Sequence, residues 1–352
     1  MRDINLYLRA LWSIPLAEAI LRQDSHWEIR EGHPVCTIPT ASQDERAWGL
    51  IRALAEAHAE EIKQEAPQAV IIGTARGELG SLLRAYERWK QEKYISPHFS
   101  PDTTLGSLAS RLARLLGIEG PAWVVSQACI SGMLALYQAA LLIKAGEAET
   151  VLFGAVEAPV FPFMIEAMAA LRIYSRESHF PYVQPGNLAR RNSFALGEAA
   201  VLGILSARAD SPIWLKSLHV RTASCSKNTS FTAVDQIALK NFIAACESSP
   251  PDMVWLHAPG TRQGDEAEYE AIRAVWGEVP AVSVKIWVGH SLGAAPLVSL
   301  ATAVQAMRSR SWLAPPYPTY WGNLRPTSWN DAAILALGYG GAMGIARICY
   351  AP

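Results

Sequence analysis

Short apolar runs alternate with segments of helical periodicity along most of the chain. The runs are typical of strands because they are short and rich in strand-forming residues. They read AVIIG, AWVVS, TVLFGAV, AAVLGILS, DMVWLHA, AVSVKIWVG and AAILALGYG. Helical patterns separate them, for example over residues 45 to 64 and 265 to 276. Several runs are continuously apolar, which favours strands covered on both faces. The pattern therefore predicts an α/β fold with largely buried strands.

Two stretches of the chain share one further pattern. Each has Pro-Ala, an apolar run, a turn of small residues and then an apolar helix. The first begins at Pro121 and carries Cys129 at its turn, and the second begins at Pro280 and carries His290. The repeat indicates a duplicated fold in which both turns face one site. Strand–turn–helix units are common, so the repeat alone does not establish a duplication.

Composition narrows the class of protein. With 352 residues, 50% of them hydrophobic, the chain is long enough for a sizeable core in one unit or two similar halves. Its 31 basic and 32 acidic residues argue against a general nucleic-acid binder. The five cysteines include no C-x-x-C pair, which favours a reducing compartment over a disulfide framework or a zinc site.

The sequence also gives an expectation for localisation. The first twenty residues contain no uninterrupted apolar segment of the kind that a signal peptide has. The most apolar helix candidate, MLALYQAALLIKAG, is too short to cross a bilayer. We therefore expect a cytoplasmic protein without a membrane span.

The stretch GHSLG, residues 289 to 293, offers two candidate chemical residues. It matches the G-x-S-x-G nucleophile elbow of α/β-hydrolases, in which Ser291 would be the nucleophile and a histidine would follow it in the chain. None of the eight histidines lies after Ser291, so this interpretation fails. Ser291 is then expected to be a small turn residue or a helix N-cap. His290 becomes the candidate for chemistry.

Two more residues stand at comparable positions. Cys129 follows a predicted strand and precedes an apolar helix, whose free N–H groups would lower the pKa of the thiol. A buried cysteine acting as a small hydrophobe is the alternative, and we expect that role for the other four. His257 ends another predicted strand, and Asp265 and Glu268 beyond it fit a capping box. One such histidine is more often structural, but two beside a cysteine form a less ordinary set.

Five motifs in order resemble those of the β-ketoacyl-acyl-carrier-protein synthases, the ketosynthases of the thiolase superfamily. SQACISGMLALYQAALL is similar to the family's nucleophile segment, and FALGEAAVLGIL to its G-F-x-x-G-E-G-A segment. HAPGTRQGDEAE resembles H-G-T-G-T-x-x-x-D-x-x-E, and VKIWVGHSLGAA resembles K-x-x-x-G-H-x-x-G-A-A. GYGGAM stands where the family has G-F-G-G-T-N. Two histidines, rather than a His/Asn pair, are typical of the chain-elongating branch.

The resemblance implies a fold and an activity. The fold would be a duplicated thiolase-like α/β fold with layers α/β/α/β/α. Residues 1–210 would form the half with the nucleophile, and residues 211–352 the half with both catalytic histidines. The activity would be the decarboxylative Claisen condensation of a carrier-protein-bound acyl chain with a malonyl thioester, in fatty-acid or polyketide/polyene-type synthesis. Cys129 would hold the acyl chain, while His257 and His290 would flank the malonyl thioester carbonyl.

The resemblance also implies supporting roles. Lys285 and Glu268 would form an ion pair that orients the histidines. The backbone N–H groups of Cys129 and Tyr339 would form an oxyanion hole, and Tyr339 with Gly340 would gate the site. Candidate residues for lining an acyl tunnel near a dimer interface, with ordinary core packing as the equal alternative, are Phe161, Phe163 and Met164.

Partners follow from the same resemblance. Acyl carrier protein would deliver substrates on its phosphopantetheine arm, and neither a metal nor a bound organic cofactor would be needed. A homodimer is expected, with a heterodimer containing a chain-length-factor homologue as an alternative. Acyl transfer or malonyl decarboxylation alone remains open. Ile130, Tyr339 and the Ala342–Met343 pair depart from the family pattern, which leaves substrate size and gating open.

Overall fold

The computed structural model describes residues 1, 4–39, 45–189, 191–223 and 235–351. Cys225, which we expected to be a buried structural cysteine, lies outside them. The strands are β1 (Leu6–Ile14), β2 (Trp27–Arg30), β3 (His33–Cys36), β4 (Val70–Gly73), β5 (Ala122–Val125), β6 (Thr150–Glu157), β7 (Leu196–Gly197), β8 (Ala199–Ser206), β9 (Ile213–Thr222), β10 (Met253–Trp255), β11 (Ala281–Val282), β12 (Asp331–Gly338) and β13 (Ala342–Tyr350). The helices are α1 (Ala17–Leu21), α2 (Arg46–Ala57), α3 (Ala59–Glu65), α4 (Leu79–Glu92), α5 (Phe99–Thr103), α6 (Ser107–Leu116), α7 (Ser131–Lys144), α8 (Pro162–Ala169), α9 (Gln236–Cys246), α10 (Arg262–Trp276), α11 (Lys285–Val288) and α12 (Ala295–Ser309). Two 3₁₀ turns cover Leu292–Ala294 and Tyr339–Gly341.

The main sheet repeats one topology. Among the described residues its order is β11-β10-β12-β13-β9-β1-β8-β6-β4-β5. In one half, β4 pairs in parallel with β5 and β6, and β8 pairs antiparallel with β6 and β1. In the other, β10 pairs in parallel with β11 and β12, and β13 pairs antiparallel with β12 and β9. The two halves join through the antiparallel pair of β1 and β9. We retain the boundary between residues 210 and 211 as a proposal, supported by this repeat of strand order.

Helices cover both halves of the sheet and fill the space between them. The central helices α7 and α12 contact each other and strands of both halves. Both are apolar around most of their circumference, as a helix covered on all sides must be. Helices α2 and α6 pack on the outer face of the first half, while α9 and α10 cover the outer face of the second. The layers are therefore α/β/α/β/α, and the predicted fold is confirmed.

One predicted strand is wrong over most of its length. The run AVSVKIWVG forms a strand only at Ala281–Val282, and Lys285–Val288 is a short helix, α11. All nine residues of the run are buried. Periodicity alone cannot separate a short helix from a strand when every side chain is covered. The other six runs form strands where they were predicted.

A small second sheet lies beside the end of α11. Its order is β2-β3-β7, with β7 parallel to β3. Leu196 of β7 forms an isolated bridge with His290. This sheet therefore supports the segment that carries His290.

Candidate active site

One cavity brings together the three residues that the sequence singled out. It has a volume of about 750 Å³, and Cys129, His257 and His290 all line it. They come from turns after β5, β10 and α11 respectively. In a repeated α/β fold these turns lie on the same side of the two halves, so residues far apart in sequence meet.

The turn of Cys129 has a fixed local geometry. Ala128 has a φ of 46°, in the left-handed region that side chains other than glycine rarely adopt. The Ser131 hydroxyl donates to the Ala128 carbonyl at 2.7 Å and accepts from the Gln127 amide at 2.9 Å. These bonds stabilise the turn and leave Cys129 9% exposed, facing the cavity. A strained turn around a reactive residue is a frequent feature of active sites.

The expectation of a lowered thiol pKa is wrong. Burial raises the pKa of Cys129 to about 12, against the opposing effect of the Lys285 cation. Glu157 raises this pKa further, and Arg76 lowers it. Helix α7 begins at Ser131, two residues after the cysteine, and the desolvation of the buried sulfur outweighs the favourable charges. The thiol is therefore protonated at neutral pH.

His257 is held through its backbone. Glu268 accepts hydrogen bonds from the amides of His257 and Ala258, at 2.8 Å and 2.7 Å. The Lys285 ammonium donates to the carbonyl of His257. Lys285 and Glu268 thus both hydrogen-bond to the backbone of the same segment, Lys285 through a carbonyl oxygen and Glu268 through two amides. Within the described residues they form no direct ion pair. Burial lowers the pKa of Lys285 to about 8, against the opposing effect of the Glu268 charge.

The backbone of His290 is also held by hydrogen bonds, in this case to residues in and next to the small sheet. Its amide donates to the Ala195 carbonyl at 2.7 Å, and its carbonyl accepts from the Gly197 amide at 3.1 Å. The ring of Phe194 contacts the imidazole, with centroids 5.4 Å apart. Ser291 precedes a 3₁₀ turn, and its buried hydroxyl has no hydrogen-bond partner among the described residues. Ser291 therefore occupies the N-cap position of this turn, but its side chain makes no capping hydrogen bond.

The two imidazoles face each other and are both neutral. Their ring centroids lie 5.3 Å apart, at an interplanar angle of 76°. Burial lowers the pKa of each well below 6.5, and the nearby Lys285 cation lowers both further. Each neutral ring carries one N–H donor and one acceptor nitrogen. The pair can therefore donate to one carbonyl oxygen in the cavity or relay a proton.

Asp265 does not form the predicted capping box. Helix α10 begins at Arg262, so Asp265 lies within its first turn instead of at the N-cap. Its carboxylate accepts from the amides of Gly186, Gly260 and Thr261, at 2.9, 3.2 and 3.2 Å. Asp265 therefore closes the loop that leads from His257 into α10.

The remaining predicted residues lie at different distances from the cavity. Tyr339 lines it and is 40% exposed, and burial of its inner part raises its pKa. Gly340 has a φ of 76°, and a side chain there would meet open space. Met164 belongs to the apolar cluster around Cys129, with Phe161 packed against that cluster. Phe163 is 62% exposed and is not part of that cluster.

Several cavity residues escaped the sequence analysis. The apolar ones include Met168, Leu171, Ile173 and Leu292. Polar residues that line the cavity are Asn192, Thr261, Arg262, Gln263 and Glu266. Met168, Leu171 and Ile173 lie at the end of α8 and in the loop after it, where no motif marks them, whereas Leu292 lies in the segment VKIWVGHSLGAA. Thr261, Arg262, Gln263 and Glu266 lie within the segment HAPGTRQGDEAE, and of these Thr261 matches the family pattern.

Across the part of the chain that the structure describes, no three His, Cys, Asp or Glu side chains are grouped so as to hold a metal ion. In the same ranges, none of the helices combines the length and apolar character needed to span a bilayer.

Comparisons with known proteins agree on one family. The model of the β-ketoacyl synthase N-terminal domain matches residues 47–211, and that of the C-terminal domain matches residues 224–317. The oxytetracycline polyketide putative β-ketoacyl synthase 1 of Streptomyces rimosus is 30% identical over 275 residues, which are 70% of this chain and 63% of that protein. The chloroplastic 3-oxoacyl-[acyl-carrier-protein] synthase I of Arabidopsis thaliana is 27% identical over 264 residues, 70% of this chain and 55% of that protein. The chain thus spans less than two thirds of the length of these relatives.

Solved structures share the fold. One belongs to a type II PKS assembly described as an acyl-carrier protein in complex with its ketosynthase bound to the hexaketide. It has a TM-score of 0.87 at 19% identity and full coverage of both chains. A ketosynthase in complex with its chain length factor from Xenorhabdus doucetiae has a TM-score of 0.81 at 20% identity, with 99% and 98% of the two chains covered. Two consecutive family models cover most of the chain, and the fold agrees with them. The chain belongs to the β-ketoacyl synthase family.

Proposed function

We propose that this protein catalyses the decarboxylative condensation of a carrier-bound acyl chain with a malonyl thioester, giving a β-ketoacyl thioester. The single observation that carries the proposal is the meeting of Cys129 with two neutral imidazoles in one cavity. A thiol and two neutral histidines supply a nucleophile, a proton relay and two hydrogen-bond donors. Fatty-acid and polyketide synthesis are the two processes that use this reaction, and the similarity to relatives of both kinds supports either.

The first step is acyl transfer to the cysteine. The Cys129 sulfur attacks the acyl thioester, a new thioester forms, and the carrier's pantetheine thiolate leaves. Because the free thiol is protonated, its proton must move as the sulfur attacks, and a neutral imidazole of the cavity accepts it and passes it to the departing thiolate. The backbone N–H groups of Cys129 and Tyr339 are the proposed oxyanion donors. Their proximity is supported by Gly338, where a Cβ would lie 3.6 Å from the Cys129 nitrogen.

The second step joins the two substrates. The malonyl thioester loses carbon dioxide, and the electron pair of the broken C–C bond forms an enolate. The N–H groups of His257 and His290 donate to the enolate oxygen as its charge develops. The α-carbon then attacks the acyl carbonyl, and the Cys129 thiolate leaves and recovers a proton. Lys285 and Glu268 act on this step indirectly, because both hold the backbone of His257.

The substrates are proposed to arrive on the phosphopantetheine arm of an acyl carrier protein. Arg262 and Gln263 line the cavity and are exposed, so with the half-buried Glu266 they form a polar part of its entrance. Apolar residues deeper in the cavity, such as Met168 and Leu292, suit an acyl chain. The structural neighbour that contains an acyl-carrier protein with its ketosynthase supports this partner.

A second subunit is proposed to cover helix α4. Its residues Leu82, Tyr86 and Trp89 fall on one face at helical spacing and are 44%, 53% and 40% exposed. No residue of this fourteen-residue helix is buried in the single chain. An apolar helix face of this kind marks an interaction surface. We propose a dimer, either of two copies or with a chain-length-factor homologue, and native mass of the purified protein distinguishes the two.

The described cysteines suit the reducing cytoplasm that we propose as the compartment. Cys36, Cys129 and Cys349 form no disulfide among the described residues, and the first two of them are buried.

Intact-protein mass tests the proposed function. We expect incubation with acyl-carrier-protein thioesters to add one acyl group to the wild type and none to Cys129→Ala. Cys36→Ala is the matched control, because Cys36 is also buried, has a pKa raised to about 12 and does not line the cavity. Adding malonyl thioester should then discharge the adduct as β-ketoacyl product. An adduct without product would favour acyl transfer alone, and carbon dioxide without an adduct would favour a malonyl decarboxylase.

A further inference from the structure

A buried carboxylate lies behind the cavity and has no role in the reaction just described. Glu157 is the last residue of β6 and is completely buried. Its Oε1 accepts from the amide of Ala75 and from the hydroxyl of Thr74, at 3.3 Å for the hydroxyl. The amide of Gly293 supplies a further hydrogen bond. Burying a carboxylate without a cation in contact is costly, so its presence calls for an explanation.

The donors to Glu157 come from segments that meet the two catalytic turns. Gly293 lies three residues after His290, in the 3₁₀ turn that follows it. A Cβ on Gly293 would lie 2.7 Å from Glu157 Oε1 and 3.0 Å from the Ser131 Cβ. A Cβ on Gly132 would lie 2.8 Å from the Gly293 carbonyl oxygen. The loop after His290 therefore packs without spare room against the turn after Cys129, and Glu157 is hydrogen-bonded at this junction.

The chemistry of the donors explains why a carboxylate occupies this position. Two amides and one hydroxyl donate toward the same side chain, and an ionised carboxylate is purely an acceptor. Glu157 Oε1 is the atom that the donors and the Gly293 Cβ position approach, whereas Oε2 is buried without a partner among the described residues. One oxygen therefore serves as the structural link. The charge of the carboxylate, shared by both oxygens, raises the pKa of the Cys129 thiol.

We propose that Glu157 is a positioning residue, whose carboxylate holds the loop that follows His290 in register with the turn that carries Cys129. The kinetic part of this inference rests on the proposed condensation. The electrostatic part does not, because it concerns only the reactivity of the Cys129 thiol. Glu157 and Tyr339 face this thiol as acids, Lys285 and Arg76 as cations, and His257 and His290 as neutral imidazoles.

Two substitutions separate the link from the charge. Glu157→Gln keeps an Oε1 acceptor and removes the charge, whereas Glu157→Ala removes both. Glu247→Ala is the matched control, since Glu247 is also a buried carboxylate, it pairs with Arg347, and neither of these two residues lines the cavity. Folded fraction and thermal midpoint are measured for each variant, so that turnover is expressed per folded enzyme.

The link is tested by kinetics. We expect Glu157→Ala to lower kcat for condensation about 100-fold, because a displacement near 1 Å between reacting groups has an effect of that size. KM for the malonyl thioester should change by less than about threefold, and Glu157→Gln should restore most of kcat. Glu247→Ala should lose stability and keep its kcat. A Glu157→Ala enzyme with wild-type kcat, or one that changes only in stability as Glu247→Ala does, would overturn the inference.

The charge is tested by the rate of Cys129 alkylation with iodoacetamide. Burial raises the pKa of Glu157 to about 7, so its charge opposes the thiolate above that pH and disappears below it. The ratio of the Glu157→Gln rate to the wild-type rate should be near one at about pH 6 and exceed about threefold at about pH 8.5. A ratio independent of pH would refute the placement of this charge. If the wild type alkylates but never accepts an acyl group, the proposed condensation fails and this ratio still decides the electrostatic claim.

Discussion

Substitution of Gly197 by alanine gives a direct test of how His290 is held. Gly197 donates its amide to the carbonyl of His290, so the two backbones run side by side. A Cβ on Gly197 would lie 2.0 Å from the Val288 carbonyl oxygen and 3.0 Å from its carbon. Real Cβ atoms do not approach other atoms closer than 3.0 Å. The Val288–His290 backbone, or β7 itself, must therefore move by about 1 Å.

The expected cost follows from that displacement. Overpacking of a buried contact lowers the free energy of unfolding by about 1–3 kcal/mol. A shift near 1 Å in a catalytic group lowers the rate of the step that uses it about 100-fold. Because His290 is proposed to stabilise the enolate, decarboxylation should lose this factor. Acylation of Cys129 should fall much less, since its turn is held by Ser131 and does not touch Gly197.

The assay separates the two steps. Single-turnover acylation is followed by intact-protein mass, and malonyl decarboxylation by release of carbon dioxide from a labelled thioester. Gly49→Ala is the control, because a Cβ at that helical position meets nothing within 4 Å and alanine favours the helix. Decarboxylation at the wild-type rate in folded Gly197→Ala would refute the idea that this backbone contact positions His290. Equal losses of rate in both steps would show that the contact does not act specifically through His290.

Three further predictions concern protons and buried donors. Glu268→Gln leaves one of two buried amides, of His257 or Ala258, without its acceptor, so urea denaturation should report a loss of about 1–3 kcal/mol in the free energy of unfolding. The pKa of His257 and of His290 is below 6.5 in the folded protein, so stability is fully present above about pH 6.5 and falls as the pH drops toward the folded values. The acid limb of the decarboxylation profile should accordingly lie well below pH 6.5. Alkylation of Cys129 should accelerate steadily through the neutral and alkaline range, because its pKa is raised to about 12.

Each of these has its own control. Glu270→Gln changes a partly exposed carboxylate of the same helix α10 and should leave the urea midpoint unchanged, whereas an unchanged midpoint in Glu268→Gln would contradict the backbone role. Half-maximal decarboxylation at about pH 6.5 would mean that a catalytic histidine titrates as if in water. A plateau in the alkylation rate at about pH 8 to 9 would indicate an ordinary thiol, with Cys129→Ala as the blank.

The sequence singled out three residues that line one cavity, because each stands at a junction that local patterns mark. Cys129 and His257 follow apolar strand-like runs, and both lie on the cavity. His290 follows the run that proved to be mostly helical, so its position was right although the element before it was not. The position of His290 was not affected by this error, because the residue follows the buried run whether that run is a strand or a helix.

What the sequence could not supply were the contacts between distant segments. Lys285 and Glu268 were expected to bind each other, because the resemblance to the ketosynthases implied an ion pair between them. Both instead bind the backbone of His257, which carries one donor and one acceptor that must be satisfied when buried. Side-chain pairing can be guessed from residue types, but a bond to the main chain depends on where the chain runs in space. The sequence analysis missed Glu157 for the same reason, since its hydrogen-bond donors Thr74, Ala75 and Gly293 lie on other segments.

Lys285 links these observations into one electrostatic arrangement. It is a buried cation, and its charge lowers the pKa of Cys129, His257 and His290 alike. For the histidines this effect adds to that of burial, so the rings stay neutral and keep one N–H and one acceptor nitrogen each. For the cysteine it opposes burial and does not overcome it, so the thiol stays protonated until an acyl donor arrives. A single cation thus favours neutral proton carriers and a nucleophile that ionises only as it reacts, which is the state that both proposed steps require.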